Sequence, residues 1–436
     1  MLAISKPAIL GGRPVREPFK PHGTNIGEDE KRLVLEVLDS GVLSGFAASN
    51  DPRFYGGKMV RELERQFCEH FGVKYAVSFN SATSALHAAV AACGVGPGDE
   101  VITSPFTMSA TPSSIIHANG IPIFADIEDR TYGLDPDDVA EKISPRTKGI
   151  ITVNIFGHPS RLNELRSIAD ENRLFLIEDN SQSPYARYKG RLSGTIGEIG
   201  IFSLNYHKFF QCGEGGVAIT DREDLAVKMQ LIRNHGEVIV DAKGIDDIAN
   251  TLGWNYRMTE LQAAVAIPQL KKLKELIEWR SGLAKELSGL ISNFDFLSAS
   301  ITEDGCDHVY YLYPIRYNEE RAGLSRRIFC EAIKAENFPV IAGYLRPLYL
   351  EPMYQKKIAY GAKGCPFSCP HYEGKVDYTA VSCSTAERLW KNELIAANFV
   401  KYPNSISDMH LFVDAIERIM NHKEDIIRRW ESKSKS

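Results

Sequence analysis

The chain has 436 residues, 44% of them hydrophobic, which is enough to bury a large core and a second, smaller one. A formal net charge of -5 and the lack of any basic patch argue against nucleic-acid binding. Eight cysteines scattered over this length do not make a disulfide framework. The opening MLAISKPAILGG has no apolar core followed by a cleavage signal, and no later run reaches membrane-spanning length, so the expectation is a soluble, cytoplasmic protein without a membrane partner.

Residues 1–26 read as an N-terminal arm. From about residue 27 the pattern becomes helical: Glu28, Asp29 and Glu30 crowd the first turn of a segment ending near Leu43, which suits the helix macrodipole. Residues 44–57, rich in Gly, Ser, Asn and Pro, read as a loop, either a cover for a substrate site or a plain surface connection. Tyr75–Phe79 then opens an alternation of strands and helices. SATSALHAAVAA is a helix, and EVITS, IPIFADI, GIITVNIF, RLFLIED, GIFSL and VAIT supply further strands. The alternation predicts an α/β architecture with a mostly parallel sheet covered on both faces and a site at the carboxyl ends of its strands. A long helical pattern opening at TELQAAV and running to about Leu290 leads from a large unit, residues 27–285, into a smaller α+β unit, residues 286–430. There VYYLYPI is strand-like, while SRRIFCEAIKA and SDMHLFVDAIERIMNHKEDII are helical. The polar tail ESKSKS, residues 431–436, is expected to fray.

Four stretches carry chemistry. Asn80-Ser81-Ala82-Thr83-Ser84 joins a strand to a helix, where unpaired N–H groups, the positive dipole end and hydroxyl donors can hold a phosphate; simple N-capping is the plainer use of the same residues. PFTMSAT, after the strand EVITS, offers Met108 as an apolar, polarizable contact or as packing, with Phe106 as the other apolar candidate. The strand from Leu174 ends in Glu178 and Asp179, with Gln182 three residues beyond. A buried carboxylate at such a strand end can keep a neighbouring base protonated, whereas acids there otherwise cap helices or face water. The last stretch is IFSLNYHKFFQCGEGGVAIT, residues 201–220: a strand, a polar turn carrying Lys208, a glycine-rich loop and a second strand. An ordinary loop lysine is a solvated cation, but here Phe209 and Phe210 follow it, Ser203 precedes it, and Gly213, Gly215 and Gly216 let backbone approach a bound group. Cys365, Cys369, His371 and Cys383 lack a standard zinc spacing, so no metal site is expected.

Together these stretches resemble the DegT/DnrJ/EryC1/StrS sugar aminotransferases, a branch of the fold-type I pyridoxal-phosphate enzymes. The family pattern of a Phe-Ser pair, a reactive lysine and Gly-Glu-Gly-Gly stands here as Phe202, Ser203, Lys208 and Gly213 to Gly216. The resemblance runs through most of residues 30–285 and more loosely to about 420. It implies the fold-type I transferase architecture, with a mostly parallel seven-stranded sheet in the large domain and a smaller α+β C-terminal domain. It also implies pyridoxal 5′-phosphate as cofactor and Lys208 as the catalytic residue that carries it. Asp179 then faces the ring nitrogen, Gln182 the ring hydroxyl, and Ala82 and Thr83 the phosphate, with Met108 and Ser203 completing the cofactor site. Asn255, in Gly253-Trp254-Asn255-Tyr256-Arg257-Met258, matches a motif whose Asn reaches the cofactor phosphate of the neighbouring subunit, so a homodimer with shared active sites is the minimum unit. Two residues depart from the pattern: Ala82 replaces a glycine, and Met108 replaces a stacking aromatic.

The implied reaction moves an amino group from an amino acid, glutamate or glutamine, to a keto-sugar, usually nucleotide-linked, in amino-sugar, polysaccharide or antibiotic biosynthesis. The alternatives are a keto-cyclitol acceptor and a sugar dehydratase of the same fold that uses pyridoxamine phosphate. Such dehydratases carry histidine in place of the lysine; His207 precedes Lys208 here, but the register keeps Lys208 at the key position. A cofactor-sensing regulator is the remaining class, and no appended DNA-binding module accompanies it.

Overall fold

The computed structural model describes residues 5–18 and 25–434; residues 1–4 and 19–24 of the expected arm and the last two residues of the tail lie outside that range. In chain order the first strands are β1 (Tyr75–Phe79), β2 (Glu100–Thr103), β3 (Ile121–Phe124), β4 (Thr147–Val153), β5 (Phe175–Asp179), β6 (Arg187–Tyr188), β7 (Arg191–Leu192), β8 (Ile199–Ser203) and β9 (Gly216–Thr220). Seven of them form one sheet in the order β1-β9-β8-β5-β4-β2-β3. From β8 to β3 every pairing is parallel, while β9 runs antiparallel to both its neighbours. Helices carry the chain back between β2, β3, β4 and β5, and residues 180–198, which include β6 and β7, carry it from β5 back to β8; residues 204–215 instead form a tight turn that leads straight into the antiparallel β9. β8 and β9 are buried along their whole length, as apolar strands with both faces covered must be.

The helix Ala82–Ala92 is buried from Ser84 onward, its alanines allowing close approach to the sheet and to the helices Ala110–His117 and Glu223–Arg233. A 32-residue helix, Glu260–Ile291, is started by a reciprocal cap between Thr259 and Gln262. Its buried side chains from Ala263 to Ile277 pack with β8 and β9, and those from Leu283 to Ile291 join a second core. Around that second core lie β10 (Leu297–Ser298), β12 (Tyr313–Tyr317), β13 (Val340–Ala342) and β14 (Leu394–Ala397), an antiparallel sheet in the order β10-β12-β14-β13, with the helices Arg326–Ala335 and Ile406–Asn421 against it. The short β11 (Cys306–Asp307) instead pairs with β6, beside β7.

Two regions differ from the sequence expectation or sharpen it. The helix Lys423–Ser434 runs into the polar ending, started by Glu424 and Asp425 at its positive end and anchored by buried Ile426. The long segment after residue 344 is largely irregular, yet it buries Tyr349, Tyr354, Phe367 and Tyr378 against Phe106, Ile121 and Phe124. Tyr378 donates its hydroxyl to the Pro122 carbonyl at 2.8 Å and Leu348 its amide to the Pro105 carbonyl at 2.9 Å. The segment thereby covers the β3 edge and braces the loop that carries Met108.

Candidate active site

The carboxyl ends of β4, β5 and β8, the N-terminus of the helix Ala82–Ala92 and the loop after β8 enclose one cavity of about 760 Å³, its open mouth included. It lies at the carboxyl edge of the strands, the place where parallel sheets bind ligands. Ala82, Thr83, Met108, Asp179, Gln182, Ser203 and Lys208 all line it. Asn255 does not: it is exposed, bridged to Asn234, with its carbonyl accepting from Asn80 Nδ2 at 3.4 Å. The 44–57 loop is likewise absent from this chain's cavity and is tied instead to Asn234, whose Nδ2 donates to the Ala47 and Phe54 carbonyls at 3.0 and 3.2 Å.

Lys208 sits in a turn closed by its own amide on the Asn205 carbonyl at 2.9 Å, by Tyr206 N–H on Gly213 O at 2.8 Å and by Cys212 N–H on Leu204 O at 3.0 Å. Gly213 makes the return possible with φ +84°, a left-handed backbone that costs a side chain dearly. Lys208 Nζ lies 4.5 Å from the centre of the Tyr311 ring. Burial lowers the pKa of this amine from its ordinary 10.5 to about 8, and the attraction of Asp179 works the other way. An amine so placed holds a proton loosely, as a nucleophile or proton carrier must.

Asp179, at the end of β5, is buried; its Oδ2 accepts from Thr111 Oγ1 at 2.9 Å and its Oδ1 from Ser181 N–H at 3.1 Å. Gln182 is fixed in one orientation, because its Oε1 accepts from the Phe156 amide at 2.9 Å and its Nε2 donates to Tyr344 Oη at 2.9 Å. Phe156 itself has φ +55°, a strained conformation for a large side chain, and the Gln182 bond helps hold it.

At the helix start, Ser81 Oγ accepts from Ser84 N–H at 3.1 Å, and Ser84 Oγ donates to Asn80 Oδ1 at 2.6 Å. The N–H groups of Ala82 and Thr83 therefore remain for a ligand, at the positive end of the helix. Ala82 has no left-handed backbone, so the missing glycine strains nothing. Gly216 is the glycine this seat needs: a Cβ there would lie 2.4 Å from Ala82 N and 2.5 Å from Ser81 C. Met108 lines the cavity with 58% of its surface exposed, whereas Phe106, the other apolar candidate, is fully buried against Phe156 and Tyr344 and does not reach the cavity.

Sequence reasoning missed Tyr311, Tyr344, Asn205 and Glu214, all of which line the cavity. Asn205 Nδ2 donates to both Glu214 carboxylate oxygens at 2.8 Å, tying the two ends of the lysine turn together. Glu214 lies inside the glycine-rich motif and had a signal; Tyr344 had none. Burial pushes the Tyr344 hydroxyl up to about 12, so it remains a neutral donor and acceptor. His207 reaches the cavity as an exposed side chain, its ring 6.3 Å from that of Tyr311. Among the described residues no group of three or more His, Cys, Asp or Glu side chains is placed to hold a metal ion, and no helix is long and apolar enough to cross a membrane.

A sequence model of the DegT/DnrJ/EryC1/StrS aminotransferase family matches residues 26–379. The chain is 32% identical to the spore coat polysaccharide biosynthesis protein SpsC of Bacillus subtilis, over 82% of this chain and 91% of that one. It is 31% identical to the L-glutamine:2-deoxy-scyllo-inosose aminotransferase of Streptoalloteichus tenebrarius, over 96% of this chain and 98% of that one. Among solved structures, the aminotransferase from Psychrobacter cryohalolentis is similar with a TM-score of 0.79 at 26% identity, over 93% of this chain and 99% of that one. The architecture is that of the fold-type I pyridoxal-phosphate transferases, with the expected mostly parallel seven-stranded sheet.

Proposed function

The chain belongs to the DegT/DnrJ/EryC1/StrS aminotransferase family, and from that premise we propose that it transfers an amino group from glutamate or glutamine to the ketone of a keto-sugar or keto-cyclitol in amino-sugar biosynthesis, with pyridoxal 5′-phosphate held in the cavity beside Lys208. The observation that carries the reading is the convergence of a half-buried amine of lowered pKa, a buried carboxylate, an oriented amide and a free helix N-terminus on one cavity. This donor set fits the cofactor. The N–H groups of Ala82 and Thr83 and the Thr83 hydroxyl would hold its phosphate, with Ser203 adding a hydroxyl. Asp179 would keep a proton on the ring nitrogen, Gln182 Nε2 would donate to the ring hydroxyl, and Met108 would pack on the ring face. When bound, the cofactor supplies the electrophilic carbon and electron-withdrawing ring on which an amino group is taken up and passed on.

Lys208 acts in two ways in this reading. Its amine holds the cofactor between turnovers, and once freed it moves the proton to and from the donor Cα. A pKa near 8 suits both, since the neutral amine is then accessible near neutral pH. Asn255 is assigned to the cofactor phosphate of a second copy, a reading supported by its exposure and by its absence from the lining of its own cavity; a homodimer with shared sites follows. The acceptor reading leans toward an uncharged polyhydroxylated ring. Among the described residues Lys208 is the one lysine or arginine lining this chain's cavity, while hydroxyl and amide groups of Thr107, Ser181, Asn205, Tyr311 and Tyr344 surround it. A nucleotide diphosphate calls for several cations and would have to find them on the second copy.

The visible absorption spectrum tests the reading. The purified protein, reconstituted with pyridoxal phosphate, is expected to show a yellow chromophore that bleaches with glutamate or glutamine and is missing in Lys208→Ala. Absence of any lysine-dependent chromophore overturns it, and bleaching licenses a screen of keto-sugars against keto-cyclitols.

A further inference from the structure

Arg280 lies on the long helix Glu260–Ile291 and is 93% buried; burial and Tyr311 act on its charge, and it in turn helps burial lower the pKa of Lys401 to about 7. Burying a cation in this way is costly unless its donors are satisfied. Two contacts compensate. Nη1 donates to the carbonyls of Tyr310 and Tyr311 at 3.1 and 2.9 Å, and the guanidinium carbon stands 4.1 Å from the centre of the Phe209 ring. Tyr310 itself has φ +54°, an outlying conformation for a tyrosine. Both partners of Arg280 flank the reactive lysine. Phe209 is the residue after Lys208, and the Tyr311 ring is 4.5 Å from Lys208 Nζ and 6.2 Å from the Phe209 ring.

We propose that Arg280 is a positioning residue of the transamination site: it clamps the Tyr310–Tyr311 backbone to the turn that carries Lys208, and so holds the Tyr311 ring against the lysine amine and keeps water off it. The proposal rests on the reading of Lys208 as the reactive amine. The guanidinium faces Phe209 while its Nη1 donates to two carbonyls, and the fixed planar fork holds both contacts in one geometry, whereas a lysine ammonium is a flexible point charge. The contact with Lys208 is indirect, so the effect travels through Tyr311. Loss of the clamp lets water reach the amine, and burial is the larger cause of the lowered pKa.

Competitive labelling of the apoprotein with trace acetic anhydride, read peptide by peptide by mass spectrometry from about pH 6 to about pH 11, measures the titration of each lysine without the cofactor. In the wild type Lys208 is expected to titrate near 8. In Arg280→Met the Lys208 titration is expected to rise by at least about one pH unit, a roughly fivefold loss of neutral amine at pH 8, while exposed Lys31 and Lys274 stay unchanged as internal standards. Arg280→Lys, which keeps the charge but not the shape, is expected to move Lys208 in the same direction. Tyr311→Leu should reproduce the shift, and combining it with Arg280→Met should add nothing further. An unmoved Lys208 titration in either Arg280 variant that retains the native circular dichroism overturns the proposal, as does a shift shared by the exposed lysines. A missing chromophore would overturn the functional reading instead, and leaves this labelling result intact.

Discussion

Lys208 is placed at a cost to the fold, and that cost can be measured. Its amine titrates at about 8 in the folded protein against an ordinary 10.5. At 1.36 kcal/mol per pH unit the difference amounts to about 3 kcal/mol, or about 2 kcal/mol once the water reaching this half-buried residue is allowed for. The sign follows from proton counting. Between about pH 8 and 10.5 the unfolded chain binds the proton and the folded one does not, so stability rises with pH through that window. Below about 8 both states are protonated and the full penalty of burying the ammonium is present; above 10.5 both are neutral and it is gone. Lys208→Met, which keeps the length of the side chain without the charge, should therefore stabilise the apoprotein by about 2–3 kcal/mol at pH 7 and by almost nothing near pH 10.5. Equilibrium urea unfolding of both proteins at the two pH values checks it. Equal stability at pH 7, or a gain that persists unchanged at pH 10.5, would refute the reasoning, because either result means that the amine is not desolvated in the fold.

Gly216→Ala places a Cβ 2.4 Å from Ala82 N, against backbone on every near side, so β9 or the helix start must move. The expected cost is about 1–3 kcal/mol of stability and roughly tenfold or more in affinity for pyridoxal phosphate by fluorescence titration; unchanged affinity would mean that the helix N-terminus is not the phosphate seat. Mixing Lys208→Ala and Asn255→Ala chains tests the shared site: if Asn255 serves the neighbouring copy, random pairing restores roughly a quarter of wild-type activity in one intact site of each mixed dimer. Activity no greater than the sum of the separate variants would place Asn255 outside the site altogether.

The strands and the lysine turn were legible because each is a local pattern: an apolar run bounded by turn residues, or glycines set at fixed offsets from Lys208. Asp179 and Gln182 were legible for the same reason, lying within a few residues of one strand end. Tyr311 and Tyr344 were not. Tyr311 stands in VYYLYPI, where alternation marks a strand but says nothing of which aromatic faces an amine more than a hundred residues earlier in the chain. Tyr344 is separated from its partner Gln182 by 162 positions and comes from a stretch with no regular pattern. Phe106 and Met108 show the limit from the other side. By residue type the phenylalanine is the better stacking partner, but tertiary packing under Tyr344 and Phe156 removes it and leaves Met108 at the cavity.

One feature of topology explains why the phosphate seat and the lysine turn, read from sequence as separate motifs about 120 residues apart, belong to a single construction. β9 returns antiparallel between β8 and β1, so its first residue, Gly216, is paired with Ser203 on one side and with Phe79 on the other. The chain leaving β8 at Ser203 makes the Lys208 turn, and the chain leaving β1 at Phe79 enters Asn80–Ser84 and the helix Ala82–Ala92. Gly216 is thus the point at which the two meet, and its missing side chain sets their separation. The glycine-rich motif closes the lysine turn through Gly213 and admits the helix N-terminus through Gly216, so a displacement of either end is transmitted to the other through backbone rather than through side chains. Lys208 and the helix N-terminus therefore keep a fixed spacing, which a rigid cofactor with an aldehyde at one end and a phosphate at the other requires.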